Sequence, residues 1–145
     1  MSVEKVVKKK KKVKKKKRAK KKTEAAFEGK IRSAMRVAFT RHAPVYEEAK
    51  KRQRVETPKY NKDGSLSKRP DVSYRCESCD LLYKDNEVDV DHIEPVVEIG
   101  KKGSDYTFDE YYKRMNCDIS NLQVLCGPCH DKKTLRERKA RMEFK

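Results

Sequence analysis

Asn121-Leu122-Gln123-Val124-Leu125-Cys126-Gly127-Pro128-Cys129-His130 decides how the chain is read. Asn121 to Leu125 has strand character, and Pro128, with its fixed φ, suits the first turn of a helix. A strand is therefore expected to run straight into a final helix, with Leu135 and Met142 facing inward and basic side chains outward. A C-x-x-C pair and a histidine lie at the junction. A matching pair lies upstream in Tyr74-Arg75-Cys76-Glu77-Ser78-Cys79, with 46 residues between the two pairs. Two thiolates two residues apart reach one ion from a single turn, and two such turns complete a tetrahedral site that suits zinc. Cys76, Cys79, Cys126 and Cys129 are thus expected to be structural zinc ligands, with redox disulfides as the other reading. Cys117 stands apart as a packing residue or free thiol.

Between the pairs, Val88-Asp89-Val90-Asp91-His92-Ile93 alternates as a half-buried strand does, and Pro95 ends it. Gly100 to Gly103 reads as a turn. Thr107-Phe108-Asp109-Glu110 is a capping box, followed by Tyr111, Tyr112 and Met115 on one helical face. Towards the N-terminus, Thr23 is a candidate N-cap for a helix carrying Phe27, Ile31, Ala34, Met35 and Ala38. Pro44 stops that helix near Arg41–His42 and opens a second one in which Val45 and Ala49 share a face. His42 reads as a turn or cap residue. Residues 57–70, with Pro58, Asn61, Asp63-Gly64 and Pro70, have linker or hairpin-turn composition. The expected organisation is a tail over 1–22, a helical arm over 23–56, a linker over 57–70 and a domain over 71–145.

The chain has 145 residues, of which 35% are hydrophobic and 43% charged, with a mean hydropathy of −1.09. That allows one compact domain with an appendage, and a core small enough to need a staple. Residues 1–22 hold 14 Lys or Arg against one Glu, so +13 of the formal +16 lies there. Such a run repels itself and is expected to be disordered in free solution. It fits a polyanion-binding arm; a solvating tail and a nuclear import signal share its composition. No stretch approaches the roughly 18 apolar residues of a membrane span, and no apolar run follows the basic start as in a signal peptide. The sequence points to an intracellular protein that is neither secreted nor held in a membrane.

Asp91 and His92 end one strand, Asn121 opens the next and His130 starts a helix. A carboxylate and an imidazole on separate elements can hold one cation while leaving positions for water and phosphate. His92 must point to the other side of the strand from Asp91, where as a neutral base it can take a proton from water. Asn121 is suited to pinning the backbone of the loop that aims His92. The bland alternatives are a hydrogen-bonded strand-end pair for Asp91 and His92, a turn-starting Asn121 and a helix-start His130.

Asp91-His92-Ile93-x-Pro95 followed by Asn121-Leu122-Gln123-x-Leu125-Cys126-x-x-Cys129-His130-x-x-Lys133 resembles the HNH nucleases. The likeness is closest to the small zinc-containing HNH endonucleases of bacteriophages, and it covers about residues 70–140. The resemblance implies an α+β chain with a ββα-metal core and a metal-dependent DNA endonuclease activity. It implies His92 as general base, Asp91 and His130 as ligands of a catalytic Mg²⁺, Mn²⁺ or Ni²⁺, and Asn121 as the orienting middle residue. Products would carry 5′-phosphate and 3′-hydroxyl ends. A further His found in some relatives is Thr134 here, so water stands in for a third ligand. Lys132, Lys133 and Arg136, with Arg138, Lys139 and Arg141, either contact phosphates or form a solvated face. Two rivals remain: a non-catalytic zinc-stabilised nucleic-acid-binding protein, and an accessory nicking factor in phage DNA packaging that meets packaging proteins such as terminase or portal.

Overall fold

The computed structural model describes residues 3–144, with side chains from Thr23 to Phe144. The disordered state expected of residues 1–22 lies outside that side-chain description. Four helices and two small antiparallel sheets make an α+β fold. Helix α1 (Val3–His42) and helix α2 (Pro44–Arg52) lead into a sheet of β1 (Arg54–Thr57), β2 (Asp71–Arg75) and β3 (Leu82–Tyr83). A second sheet pairs β4 (Val88–His92) with β5 (Leu122–Cys126), with α3 (Phe108–Met115) in the connection. Helix α4 (Gly127–Glu143) follows β5 without a break. Among the described residues, no helix is long and apolar enough to cross a membrane.

Local chemistry explains most of these boundaries. Pro44 sits in the first turn of α2, where its missing N–H costs nothing. Thr107 caps α3: its Oγ1 accepts from Glu110 N at 3.2 Å, and Glu110 Oε2 accepts from Thr107 N at 2.8 Å. Thr23 does not start α1, which passes through it. The Lys-rich run before it contains no Pro or Gly, so its sequence holds no helix breaker.

The apolar stripe of α1 is also displaced from the expected one. Phe27 is 64% exposed, and the inward residues are Ile31, Arg32, Met35 and Phe39. Arg32 is buried, its Nη2 donating to Tyr106 O at 2.9 Å while its guanidinium stacks 4.5 Å from the Phe108 ring centre. Tyr46 and Ala49 form the buried face of α2, with Val45 half-buried beside them. Because α1 packs on Tyr106, Tyr111 and Met115, and α2 on Leu122, the helical arm belongs to the same core as the rest. Residues 57–70 likewise join two paired strands, with Arg54 opposite Tyr74 and Thr57 opposite Asp71, and are a hairpin connection rather than a free linker.

Helix α4 corrects a further expectation. Leu135 is 51% and Met142 67% exposed. The inward side is polar. Lys133 pairs with Asp91 and Glu137, and Arg141 donates to Val97 O at 2.6 Å and Glu98 O at 3.2 Å. Carbonyl oxygens at the surface of the 93–121 connection, not an apolar groove, receive this helix.

These burials make a stability prediction. Met115→Ala, at a position 1% exposed, lowers unfolding free energy by about 2–5 kcal/mol. Leu135→Ala on α4 stays within about 0.5 kcal/mol of wild type. Urea midpoints measure both, and a large loss at Leu135 would restore the apolar docking of α4.

Candidate metal centre and strand–helix site

Strand β2 ends at Arg75, and a tight turn from Cys76 through Cys79 brings the chain back as β3. The turn closes with Asp80 N on Cys76 O at 2.8 Å and Cys76 N on Leu81 O at 2.9 Å, and Asp80 adopts φ 62°. The second turn opens α4, where Cys126 N donates to Cys76 Sγ at 3.3 Å. The four sulfurs of Cys76, Cys79, Cys126 and Cys129 all lie within 4.8 Å of one another. A tetrahedral ion with metal–sulfur bonds of about 2.3 Å needs sulfurs about 3.8 Å apart. Cys79 and Cys126 are 3.9 Å apart, and all five cysteines are free thiols. The cluster therefore has the size and donor set of a structural metal site such as zinc.

The electrostatics of the cluster point the same way. Burial raises the Cys76 thiol, but N–H groups of Cys126, Cys79 and Ser78 outweigh it and lower its pKa to about 6. A hydrogen bond with Ser78 lowers Cys129, yet the crowding of Cys126, Cys76 and Cys79, together with burial, pushes it up to about 11. One thiolate is welcome and four are not, unless a cation sits among them. Cys117 lies away from the four; burial raises its thiol.

The second site forms where β4 meets α4. Alternation along β4 puts Asp89 and Asp91 on the side of α4 and buries Val88 and His92 on the other. Asp91 Oδ1 is 4.0 Å from His130 Nε2, while Asp89 Oδ2 is 3.5 Å from His130 Nδ1. Asp91 Oδ2 is buried with no hydrogen bond, although Lys133 Nζ stands 2.8 Å away as an ion-pair partner outside hydrogen-bonding alignment. Among the described residues only the four cysteines form a group of three or more metal-ligating side chains; Asp91 and His130 bring two donors near each other. Asp89 is the residue that motif reading missed. The signal was present in the period-two pattern, which places residues 89 and 91 on one face.

Lys133 was grouped with Lys132 and Arg136 as a phosphate contact, but the structure turns it inward. Its ammonium bonds to His92 O at 2.8 Å and pairs with Asp91 and Glu137. Burial lowers its pKa, yet these two carboxylates overcome that and raise it, so it is a firmly held cation. Lys132 and Arg136 are exposed, and neither has an ion-pair partner among the described residues.

His92 is 8% exposed and belongs to a different neighbourhood from Asp91 and His130. Its Nε2 is 3.0 Å from Met115 O, a pure acceptor, so Nε2 carries the hydrogen. Nδ1 then accepts from the Tyr46 hydroxyl at 3.3 Å, the two rings meeting edge to face. Burial lowers the pKa of His92. Burial also raises Tyr46 to about 12, with Cys117 and Asp91 adding to the effect. Asn121 ties the turn after β4: its Oδ1 accepts from Glu94 N at 2.8 Å and its carbonyl from Ile93 N at 2.8 Å.

Comparison with known proteins finds no matching family model, curated protein or solved structure.

Metal removal tests the cysteine cluster. Protein purified with zinc is expected to carry one equivalent through Cys76, Cys79, Cys126 and Cys129. Stripping it with a chelator abolishes the cooperative thermal transition seen by circular dichroism. Cys76→Ser or Cys126→Ser does the same, whereas Cys117→Ser keeps full zinc content by elemental analysis. Native dichroism in the stripped protein would show that the sulfurs pack without an ion.

Proposed function

We propose that this chain is a metal-dependent DNA endonuclease built on a ββα-metal core and braced by structural zinc. The observation that carries the reading is Asp91. Its Oδ2 is paired with the Lys133 ammonium at 2.8 Å, and its other oxygen faces His130 Nε2 across 4.0 Å at the strand–helix junction. Asp89 on Nδ1 supports the imidazole in the manner of a carboxylate behind a metal-binding histidine.

Bound Mg²⁺, Mn²⁺ or Ni²⁺ at this pair would supply Lewis-acid stabilisation of the charge that builds on a scissile phosphate. The chain's own residues do the rest. Asp91 and His130 would hold the cation, and Lys133 balances the Asp91 carboxylate in its buried setting. Asn121 fixes the turn that follows His92. His92 is kept neutral by burial, with Nε2–H anchored on Met115 O, so Nδ1 is the nitrogen that takes the proton from an attacking water. That role requires the Tyr46 hydroxyl to leave Nδ1 and the ring to move out from beside Met115 toward the Asp91–His130 side of β4. Exposed Lys132 and Arg136 on α4 and the Lys-rich N-terminal segment supply attraction to the phosphate backbone. Phosphodiester hydrolysis in this sense leaves 5′-phosphate and 3′-hydroxyl ends.

One observation favours a second reading, a zinc-braced nucleic-acid-binding module without catalysis. His92 is buried and both ring nitrogens are engaged, as suits a structural histidine.

A plasmid assay separates the two. Purified protein nicks or linearises supercoiled DNA in Mg²⁺ or Mn²⁺, His92→Ala abolishes cutting while retaining binding, and Asp89→Ala slows it by about 10- to 100-fold. Undiminished cutting by His92→Ala would remove the base, and binding without cleavage in Mg²⁺, Mn²⁺ and Ni²⁺ would leave the module.

Deleting residues 1–22 weakens DNA binding and flattens its dependence on salt while low-salt cutting persists. A salt slope equal to that of the intact chain would assign the segment to another task.

A further inference from the structure

The connection between β1 and β2 is more ordered than its composition demands. Tyr60 pairs with Leu66 in an antiparallel bridge beyond the strands. Asn61 N donates to Ser65 O at 2.8 Å, and Gly64, at φ 83°, donates to Asn61 O at 3.0 Å. Asp63 Oδ1 takes both the Ser65 amide at 2.9 Å and its hydroxyl at 2.6 Å, and Ser67 N donates to Lys59 O at 2.8 Å. Residues 58–70 thus extend the two-stranded ribbon and close it with a built turn.

What the ribbon displays is unusual for a surface without a partner. Tyr60 and Leu66 are 65% and 64% exposed, and as bridge partners they stand on the same face. Lys59, Lys62, Lys68 and Arg69 surround them, all exposed and none with an ion-pair partner among the described residues. The single carboxylate of the segment, Asp63, is turned into the loop by Ser65. The base is tied down. Arg75 N donates to Gln53 O at 2.9 Å, Gln53 Nε2 to Glu77 Oε1 at 2.7 Å, and Glu77 N to Val124 O at 2.9 Å. Through Cys76 the ribbon shares the metal cluster with the first turn of α4.

We propose that residues 58–70 are a DNA-docking ribbon: Lys59, Lys62, Lys68 and Arg69 meet backbone phosphates while Tyr60 and Leu66 lie in the groove. A two-stranded ribbon has the width the major groove admits, and apolar side chains there meet thymine methyl groups. Cations without carboxylate partners around an apolar pair complement a polyanion with hydrophobic base edges better than they complement a protein surface. This inference rests on the reading of DNA as the partner, not on the reading of catalysis.

The test uses the full-length zinc-loaded protein, a fluorescein-labelled duplex and anisotropy titrations across a KCl series without divalent ions. The Lys59→Gln, Lys62→Gln, Lys68→Gln, Arg69→Gln variant binds more weakly, and its slope of log affinity against log salt falls by about two to four, near 0.9 per lost phosphate contact. Tyr60→Ala with Leu66→Ala weakens binding severalfold at every salt concentration with the slope unchanged. Zinc content and circular dichroism report that both variants are folded. Wild-type affinity and slope in the Gln variant overturn the proposal, including the case in which the ribbon docks a protein. Because binding is read without cutting, a protein that shows these shifts but never cleaves keeps the ribbon and loses the nuclease. A protein that cleaves with unshifted slopes loses the ribbon alone.

Discussion

Four sulfur atoms within 4.8 Å of one another fasten the end of β2 to the start of α4, and the rest of the architecture follows from that clasp. The domain has no single large core to do the same work. Among the described residues, most of the buried apolar side chains fall into three small clusters, one around Tyr46 and Leu122, one around Tyr111 and Met115, and one of Cys76, Leu125 and Cys126. Cysteine chemistry therefore replaces hydrocarbon where a chain with 43% charged residues has little to bury. The clasp also fixes the first turn of α4, where His130 follows Cys129, and so brings the imidazole over β4.

Strand β4 then sorts the chemistry by parity. Its register with β5 sets Asp91 opposite Gln123 and His92 opposite Leu122, and a slip of one residue would exchange the faces. In the observed register the carboxylates of Asp89 and Asp91 meet α4, and the imidazole of His92 meets α2 and α3. A carboxylate face and a buried imidazole face are separated by the thickness of one strand. Tyr46 makes the α2 contribution essential to that arrangement, since its hydroxyl occupies the nitrogen a base would use.

Much of this was legible where the signal is local. Two C-x-x-C pairs, Pro44 at the opening of α2, and the Thr107–Glu110 box act within a turn of chain, so spacing alone reveals them. Contacts between distant segments were not legible. Tyr46 reaches His92 across 46 residues, and nothing in the pattern of α2 distinguishes that tyrosine from an ordinary core residue. Helix α4 misled for a physical reason: apolar periodicity nominates Leu135 and Met142, while the true docking uses charged side chains on carbonyl oxygens, which leave no hydrophobic trace. In α1 the same blindness hid Arg32, whose burial depends on the Tyr106 carbonyl and the Phe108 ring. The two-stranded character of 58–70 was present in its turn residues, but its pairing of Tyr60 with Leu66 needed the flanking strands to declare it.

The polar docking of α4 has a thermal consequence. Parting Lys133 and Arg141 from their oxygen partners uncovers little hydrocarbon, so lifting this helix carries a small heat-capacity change. Its attachment should therefore vary gently with temperature, while the clusters beneath it follow the curved temperature dependence of apolar burial. Warming and cooling would act on the scaffold, and dissolved ions on the helix that carries His130.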